Sequence, residues 1–198
     1  MDTVAKSPLT MCLASMAFAE GTTSTLSTTG TNAYLIESIF KSRTALTNQA
    51  TPTTDYATGN AFIPMPIPLA TTGLPGGVPN PSAGYACAFT LGFNAAGTLL
   101  AIQGPIVATN GSTTPVFISA APSLSPSLGP PGPNPGTTAG IQADNDFCPC
   151  GYIVVLSDSA AVATFTFGTT AWTTTGYTTS LGNIASLPGR SLANLTYS

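Results

Sequence analysis

Two acids and two cysteines stand at every second position in "DNDFCPCGYIVV": Asp144, Asp146, Cys148 and Cys150. In an extended chain alternate side chains share a face, so these four would point together. Carboxylates and thiolates ligate metals, and the spacing poses that question directly. The residue types argue against a metal. Structural zinc sites pair cysteines roughly two to four residues apart, twice over, or combine them with histidine. Here one residue separates the cysteines, and the chain contains no histidine. No EF-hand spacing follows the aspartates, and no bidentate glutamate closes a calcium loop. The favoured reading is local: Asp144 and Asn145 end a loop, Pro149 fixes a turn, and Gly151 opens an apolar strand. No metal or cofactor is expected.

The missing histidine also removes Ser-His-Asp and Cys-His chemistry and the commonest general base. A carboxylate pair remains a route to hydrolysis. Asp55, Asp144, Asp146 and Asp158 would have to supply it, and all four lie in turn-like segments. The chain is expected not to be an enzyme. Nucleic acid is an equally poor partner, because phosphate binding draws on Lys and Arg. Lys6, Lys41, Arg43 and Arg190 are the only basic residues. The one place where a basic patch can form is around Lys41 and Arg43.

Composition points to assembly. Of 198 residues, seven are acidic and four basic, for a net charge of −3. The mean hydropathy is +0.31. Surfaces of isolated soluble proteins carry far more charge, so neighbours are expected to cover part of this one. Four cysteines scattered through the chain do not form a disulfide framework. Cys87 reads as a buried thiol, and synthesis in a reducing cytosol fits.

The elements that would carry these residues are short and β-rich. "MDTVAKSPLTMCLASMAFAEG" ends in a signal-like Ala17-Phe18-Ala19, but Asp2 offsets Lys6 and the apolar run is too short to span a bilayer. It is read as an N-terminal arm, residues 1–30, whose Leu9, Met11, Leu13, Met16 and Phe18 dock on an apolar partner. Residues 21–33 form an extended Thr/Ser/Gly spacer. A single β domain, 31–198, follows. "AYLIESIF" reads as a strand or a short helix. In "FIPMPIPL", three prolines alternate with Ile63, Met65 and Ile67. This is either an edge strand with prolines guarding its free side or a polyproline-like arm against a neighbour. Ile63, Met65 and Ile67 are further candidates for partner contact.

"YACAFTLGF" is the clearest strand: Tyr85, Cys87, Phe89, Leu91 and Phe93 face one way, and Ala86, Ala88, Thr90 and Gly92 the other. "NAAG" turns the chain and "TLLAIQG" returns. "PIVAT" and "TPVFISA" add short strands. Residues 121–140 are a stiff Pro/Gly-rich loop, not a collagen repeat, because the glycine period fails at Pro135. "GYIVVLS", "AVATFTFG" and "AWTTTGYTTS" read as three more strands. Trp172 and Tyr177 are core residues or a sugar-stacking pair near a turn, the former being commoner for a lone Trp. The pattern predicts an all-β fold, a β-sandwich or jelly-roll-like body with few helices.

Several of these stretches, in this order, resemble a type of tailed-bacteriophage virion protein. "TNQATPTTD" (47–55) is similar to its "TNAATPTTD" loop, and "GFNAAGT" (92–98) to its "GVNAAGT" hairpin. "GYIVV" (151–155), "TFTFGTT" (164–170) and the closing "LPGR" (187–190) follow. The likeness spans about residues 25–192 and leaves out the arm at 1–20 and the loop at 121–140. It implies a virion structural protein. The expected role is a capsid decoration, or cement, protein on the outer capsid surface, made in the host bacterial cytoplasm. Its expected partners are the major capsid protein and its own copies, as a homotrimer, with neither nucleic acid nor membrane involved. The alternative is a head-fibre or tail protein that attaches to a receptor or glycan.

Overall fold

The computed structural model describes residues 10–68, 84–110 and 147–184. Among these residues there is no helix, and therefore none long and apolar enough to cross a membrane. Eleven strands follow one another in the described residues: β1 (Met11–Cys12), β2 (Ala19–Glu20), β3 (Thr25–Ser27), β4 (Asn32–Ile36), β5 (Ile39–Arg43), β6 (Gln49–Ala50), β7 (Gly84–Phe93), β8 (Leu99–Gln103), β9 (Val107–Thr109), β10 (Cys148–Ser157) and β11 (Tyr177–Asn183). The fold is all-β, as the alternation predicts. The described strands form one large antiparallel sheet, β11-β10-β7-β8 with β9 also on β7, and two small ones, β1-β4-β5 and β2-β3-β6.

The large sheet grows from "YACAFTLGF". Its alternation places Cys87, Phe89, Leu91 and Phe93 in the main core, while Ala88 joins Val154 in a small cluster on the opposite face. The hairpin from β7 to β8 turns as expected. Asn94 Oδ1 accepts from the Ala96 and Thr98 amides at 3.1 and 2.8 Å, and Gly97 takes a φ of +78° that glycine adopts without strain. The pairing of β10 with β7 slips between Pro149 and Gly151, which leaves Cys150 as the extra residue of a β-bulge. The bulge changes which residues face inward. Cys148 enters the core before it and Cys150 at it, and Ile153 and Val155 after it.

Three expectations fail locally, in whole or in part. "AYLIESIF" is neither one strand nor a helix but a hairpin, β4 turning into β5 at Glu37 and Ser38. Both take positive φ, 51° and 66°, as the right-handed twist of a two-residue hairpin requires. "AVATFTFG" is not a strand. Phe165 alone bridges Met65, with N–H to O distances of 2.8 and 3.3 Å, and Phe165 and Phe167 both enter the core. A tight turn from Thr166 follows, in which the Thr169 and Thr170 amides bond its carbonyl at 3.1 and 2.9 Å. "AWTTTGYTTS" likewise runs through turns, and its strand begins only at Tyr177. The expected strand at "TPVFISA", the loop 121–140 and the tail after 184 lie outside the described residues.

One continuous core joins the three sheets. Phe89, Phe167 and Phe62 pack together, the Phe89–Phe167 rings stacked at 4.3 Å and Phe62 edge-on to Phe167 at 5.0 Å. Phe93 carries Tyr34 at 5.6 Å and Phe18 at 6.3 Å. Each such pair adds roughly 0.5–1.5 kcal/mol beyond the area it buries.

Candidate functional site

The N-terminal segment is the first place to look for a partner surface, and from residue 10 onward it is not a free arm. Cys12, Met16 and Phe18 are buried in the main core, as is Leu26 of the supposed spacer. β1 pairs with β4, matching Met11 to Leu35 and Cys12 to Tyr34. The Phe18 amide bonds Asn183 Oδ1 at 3.0 Å, and the Trp172 indole N–H bonds the Thr25 carbonyl at 2.8 Å. Gly151 makes room for Phe18: a Cβ there would lie 2.6 Å from the ring. Met16 and Phe18 therefore contact the chain's own body, and the expectation that they dock on a partner is corrected. The reason is that β7 and β10 present an apolar inner face that Cys12, Met16, Phe18 and Leu26 cover. Leu9 lies outside the described residues.

What the small sheet β1-β4-β5 shows outward is different. Its inner positions, Cys12, Tyr34 and Ile36, are buried. On the other side Met11, Leu35 and Phe40 stand directly opposite one another across the three strands. Leu13 continues the face, its amide bonded to the Ala33 carbonyl at 3.0 Å. Leu13 is 45 % and Phe40 62 % exposed, and Met11 and Leu35 are half-buried. The result is an apolar row across a sheet with nothing over it among the described residues. Met11 and Leu13 were legible as partner candidates. Leu35 and Phe40 were missed, because the Glu-Ser turn between them carries no glycine or asparagine to mark a hairpin.

The proline segment takes the second of its two readings, with one change. Phe62, Met65 and Pro68 are buried and the residues between them are exposed. That period of three belongs to a polyproline helix, which turns once in about three residues, not to a strand. The segment lies on the chain's own body. Gln103 holds it: its side-chain carbonyl accepts from the Ile63 amide at 2.8 Å, and its side-chain N–H donates to the Ile63 carbonyl at 2.8 Å. A side-chain amide thus replaces a neighbouring strand. Met65 is buried and drops out of the partner candidates; Ile63, at 68 % exposed, and Ile67, at 43 %, face outward.

Asp55 organises the adjoining loop. Its carboxylate accepts from the Ala57 amide at 3.1 Å, the Thr58 hydroxyl at 3.1 Å and the Gln103 amide at 3.4 Å. Burial pushes the Asp55 carboxyl above its ordinary range, against the pull of these bonds. The Tyr56 amide bonds the Ala101 carbonyl at 2.9 Å, so the loop covers the outer edge of β8.

The cysteines that open the chemical question are core thiols. Cys148 and Cys150 are fully buried, their sulfurs 3.8 Å apart, and the Cys150 thiol also donates to the Cys148 carbonyl at 3.1 Å. Cys12 joins them through a hydrogen bond with Cys150, which draws the Cys12 thiol down, while burial holds Cys150 far up. Burial also pushes Cys87 up to about 12. Thiols pushed up by burial, as Cys87 and Cys150 are, make poor ligands and poor nucleophiles. Among the described residues no group of three or more His, Cys, Asp or Glu is arranged to hold a metal ion. Asp144 and Asp146 lie outside those residues. Trp172 and Tyr177 are buried, and the Tyr177 hydroxyl bonds the Ala163 carbonyl at 2.6 Å, so neither offers a face to a sugar.

Comparison with known proteins brings no relative to these surfaces: no protein-family profile, no curated protein and no solved structure matches the chain.

Proposed function

We propose that the chain is a virion structural protein, a capsid decoration protein that binds the major capsid protein and its own copies on the outer surface of the shell. The observation that carries this reading is the uncovered apolar row Met11–Leu35–Phe40 with Leu13 beside it. Contiguous exposed apolar surface marks interaction sites. Here it sits on a sheet whose other face is already part of a finished core. The scarcity of charge supports the same reading, and so does the likeness of the 47–55, 92–98 and 151–155 motifs to phage virion proteins.

The mechanism is binding energy alone. Apolar area removed from water contributes up to roughly 25 cal/mol per Å², less the cost of immobilising the partners. With few ion pairs to desolvate, attachment is insensitive to salt. Moderate salt and chelators are expected to leave the protein on purified particles, and release by either would contradict this mode of attachment. The second reading, a head-fibre or tail protein, rests on the same exposed residues. Quantitative densitometry of purified particles separates the two. Hundreds of copies per particle fit decoration, tens or fewer fit a tail component, and absence from particles refutes both.

A further inference from the structure

Lys41 and Arg43 are half of the chain's four basic residues. They stand at alternate positions of β5 and share a face, roughly 7 Å apart along the strand. Together with Tyr34 on β4, Gln49 and Pro52 beyond β5, and the turn of the β7–β8 hairpin, they line a cavity of about 480 Å³. Among the described residues no carboxylate lines it. A chain with more acidic than basic residues has thus gathered two cations in one recess without a counterion.

The two cations are held differently. The Arg43 guanidinium donates to the Gly97 carbonyl and, at 3.3 Å, to Gln49 Oε1, and its centre lies 5.4 Å from the centroid of the Phe93 ring. It is fixed before any ligand arrives, and it keeps donors beyond the two it uses. The Lys41 backbone is paired with Tyr34 in the ladder, but its ammonium forms no hydrogen bond or ion pair among the described residues, so it can swing to meet a ligand. The Ser42 and Thr98 hydroxyls line the same space, and Pro52 and Leu99 give it an apolar wall. The volume falls within the range of small-molecule sites, about 300–1,000 Å³, and is larger than a bare inorganic anion needs.

We propose that this cavity binds a small organic anion, a carboxylate or phosphate ester on a polar body the size of a monosaccharide, between the fixed charge of Arg43 and the mobile charge of Lys41. The site stands apart from the apolar row and does not depend on the virion reading. An anion there removes the repulsion between the two cations and takes up donors that otherwise face only water.

The test is a titration of the full ¹⁵N-labelled chain with glucuronate, glucose 6-phosphate, glucose and inorganic phosphate, followed at the amides of Lys41, Ser42, Gly97 and Thr98. Saturable shifts are expected with the two organic anions, weakening as salt is raised, with glucose at least tenfold weaker. Lys41→Met keeps the apolar stem and removes the charge; Thr98→Asp supplies an internal carboxylate. Each is expected to weaken glucuronate at least tenfold, and Thr98→Asp without lowering the unfolding temperature. The proposal is overturned by the absence of saturable shifts with both organic anions, by equal affinity for glucose, or by undiminished affinity in the folded variants. Inorganic phosphate binding as tightly as glucuronate would overturn the organic body of the ligand.

Discussion

Residues 11–20 and 61–68 are made of similar apolar side chains, and both invite a reading as arms that grip a partner. The fold treats them differently. The first segment enters the sheet system through β1 and β2, pairs its backbone with β4 and β3, and buries Cys12, Met16 and Phe18. The second, stripped of alternate amides by Pro64, Pro66 and Pro68, cannot join a ladder. It lies on the body as a three-residue-per-turn stretch held by Phe62, Met65 and the Gln103 amide. Both leave apolar residues outside: Leu13 in the first, Ile63 and Ile67 in the second. Hydrophobicity shows that a residue seeks cover. The available backbone bonding decides whether the chain itself supplies it.

Removing the anchor of either segment costs the most stability. Phe18→Ala empties a site against Gly151 and Phe93 and is expected to cost about 3–5 kcal/mol, measured by urea unfolding. A loss near zero would return the N-terminal segment to the status of a free arm. Met65→Ala is expected to cost about 2–5 kcal/mol in the same measurement, because it empties a fully buried core site.

Asp55 sharpens the account of what fixes that second segment. Asp55→Ala strands the Ala57 and Gln103 amides and the Thr58 hydroxyl, at about 1–3 kcal/mol. Asp55→Asn can still accept from both amides through Oδ1 and donate to Thr58, and it sheds the burden of a buried charge. It is expected to be neutral or slightly stabilising near pH 7. The sign of the pH effect follows from the raised carboxyl. The folded state holds the Asp55 proton more tightly than the unfolded state. The contribution is fully present below the unfolded carboxyl range and is lost as pH rises through the folded value. In Asp55→Asn that part of the pH dependence disappears from the unfolding curves.

The smallest effects on stability belong to the outward residues. Leu13→Ser and Ile63→Ser are expected to change unfolding free energy by no more than about 0.5 kcal/mol. A larger loss in either, read by urea unfolding, would show that the residue is covered by the chain itself.

The pairs visible in sequence were those carried by local alternation and local turn chemistry. β7, the Asn94–Gly97 turn and β8 follow from period two and a glycine at positive φ. The β4–β5 hairpin did not, since Glu37 and Ser38 adopt positive φ without being the residues that favour it. The strand expected at 161–168 failed, and the one expected at 171–180 forms only from Tyr177, because aromatic residues can reach a core from turns as well as from strands, and nothing local distinguishes the two. The bulge at Cys150 was invisible for a related reason. It depends on the register against β7, and only that register explains why even and odd positions of one strand share a core. Of the candidate surface, Met11 and Leu13 could be read as apolar residues near the start of the chain. Their alignment with Leu35 and Phe40 is a product of pairing. Lys41 and Arg43 were recognisable as the one possible basic pair, but the cavity they line is closed by a hairpin turn some fifty residues away in sequence.

We propose that the apolar row on the β1-β4-β5 sheet is covered by other subunits. Sedimentation velocity of the full chain over a wide concentration range, beside the Leu13→Ser/Phe40→Ser variant, tests it most directly. The wild-type chain is expected to self-associate with little dependence on salt, and the variant to sediment as a folded monomer. A wild-type chain that stays monomeric at every concentration, or a variant that associates just as well, would contradict it.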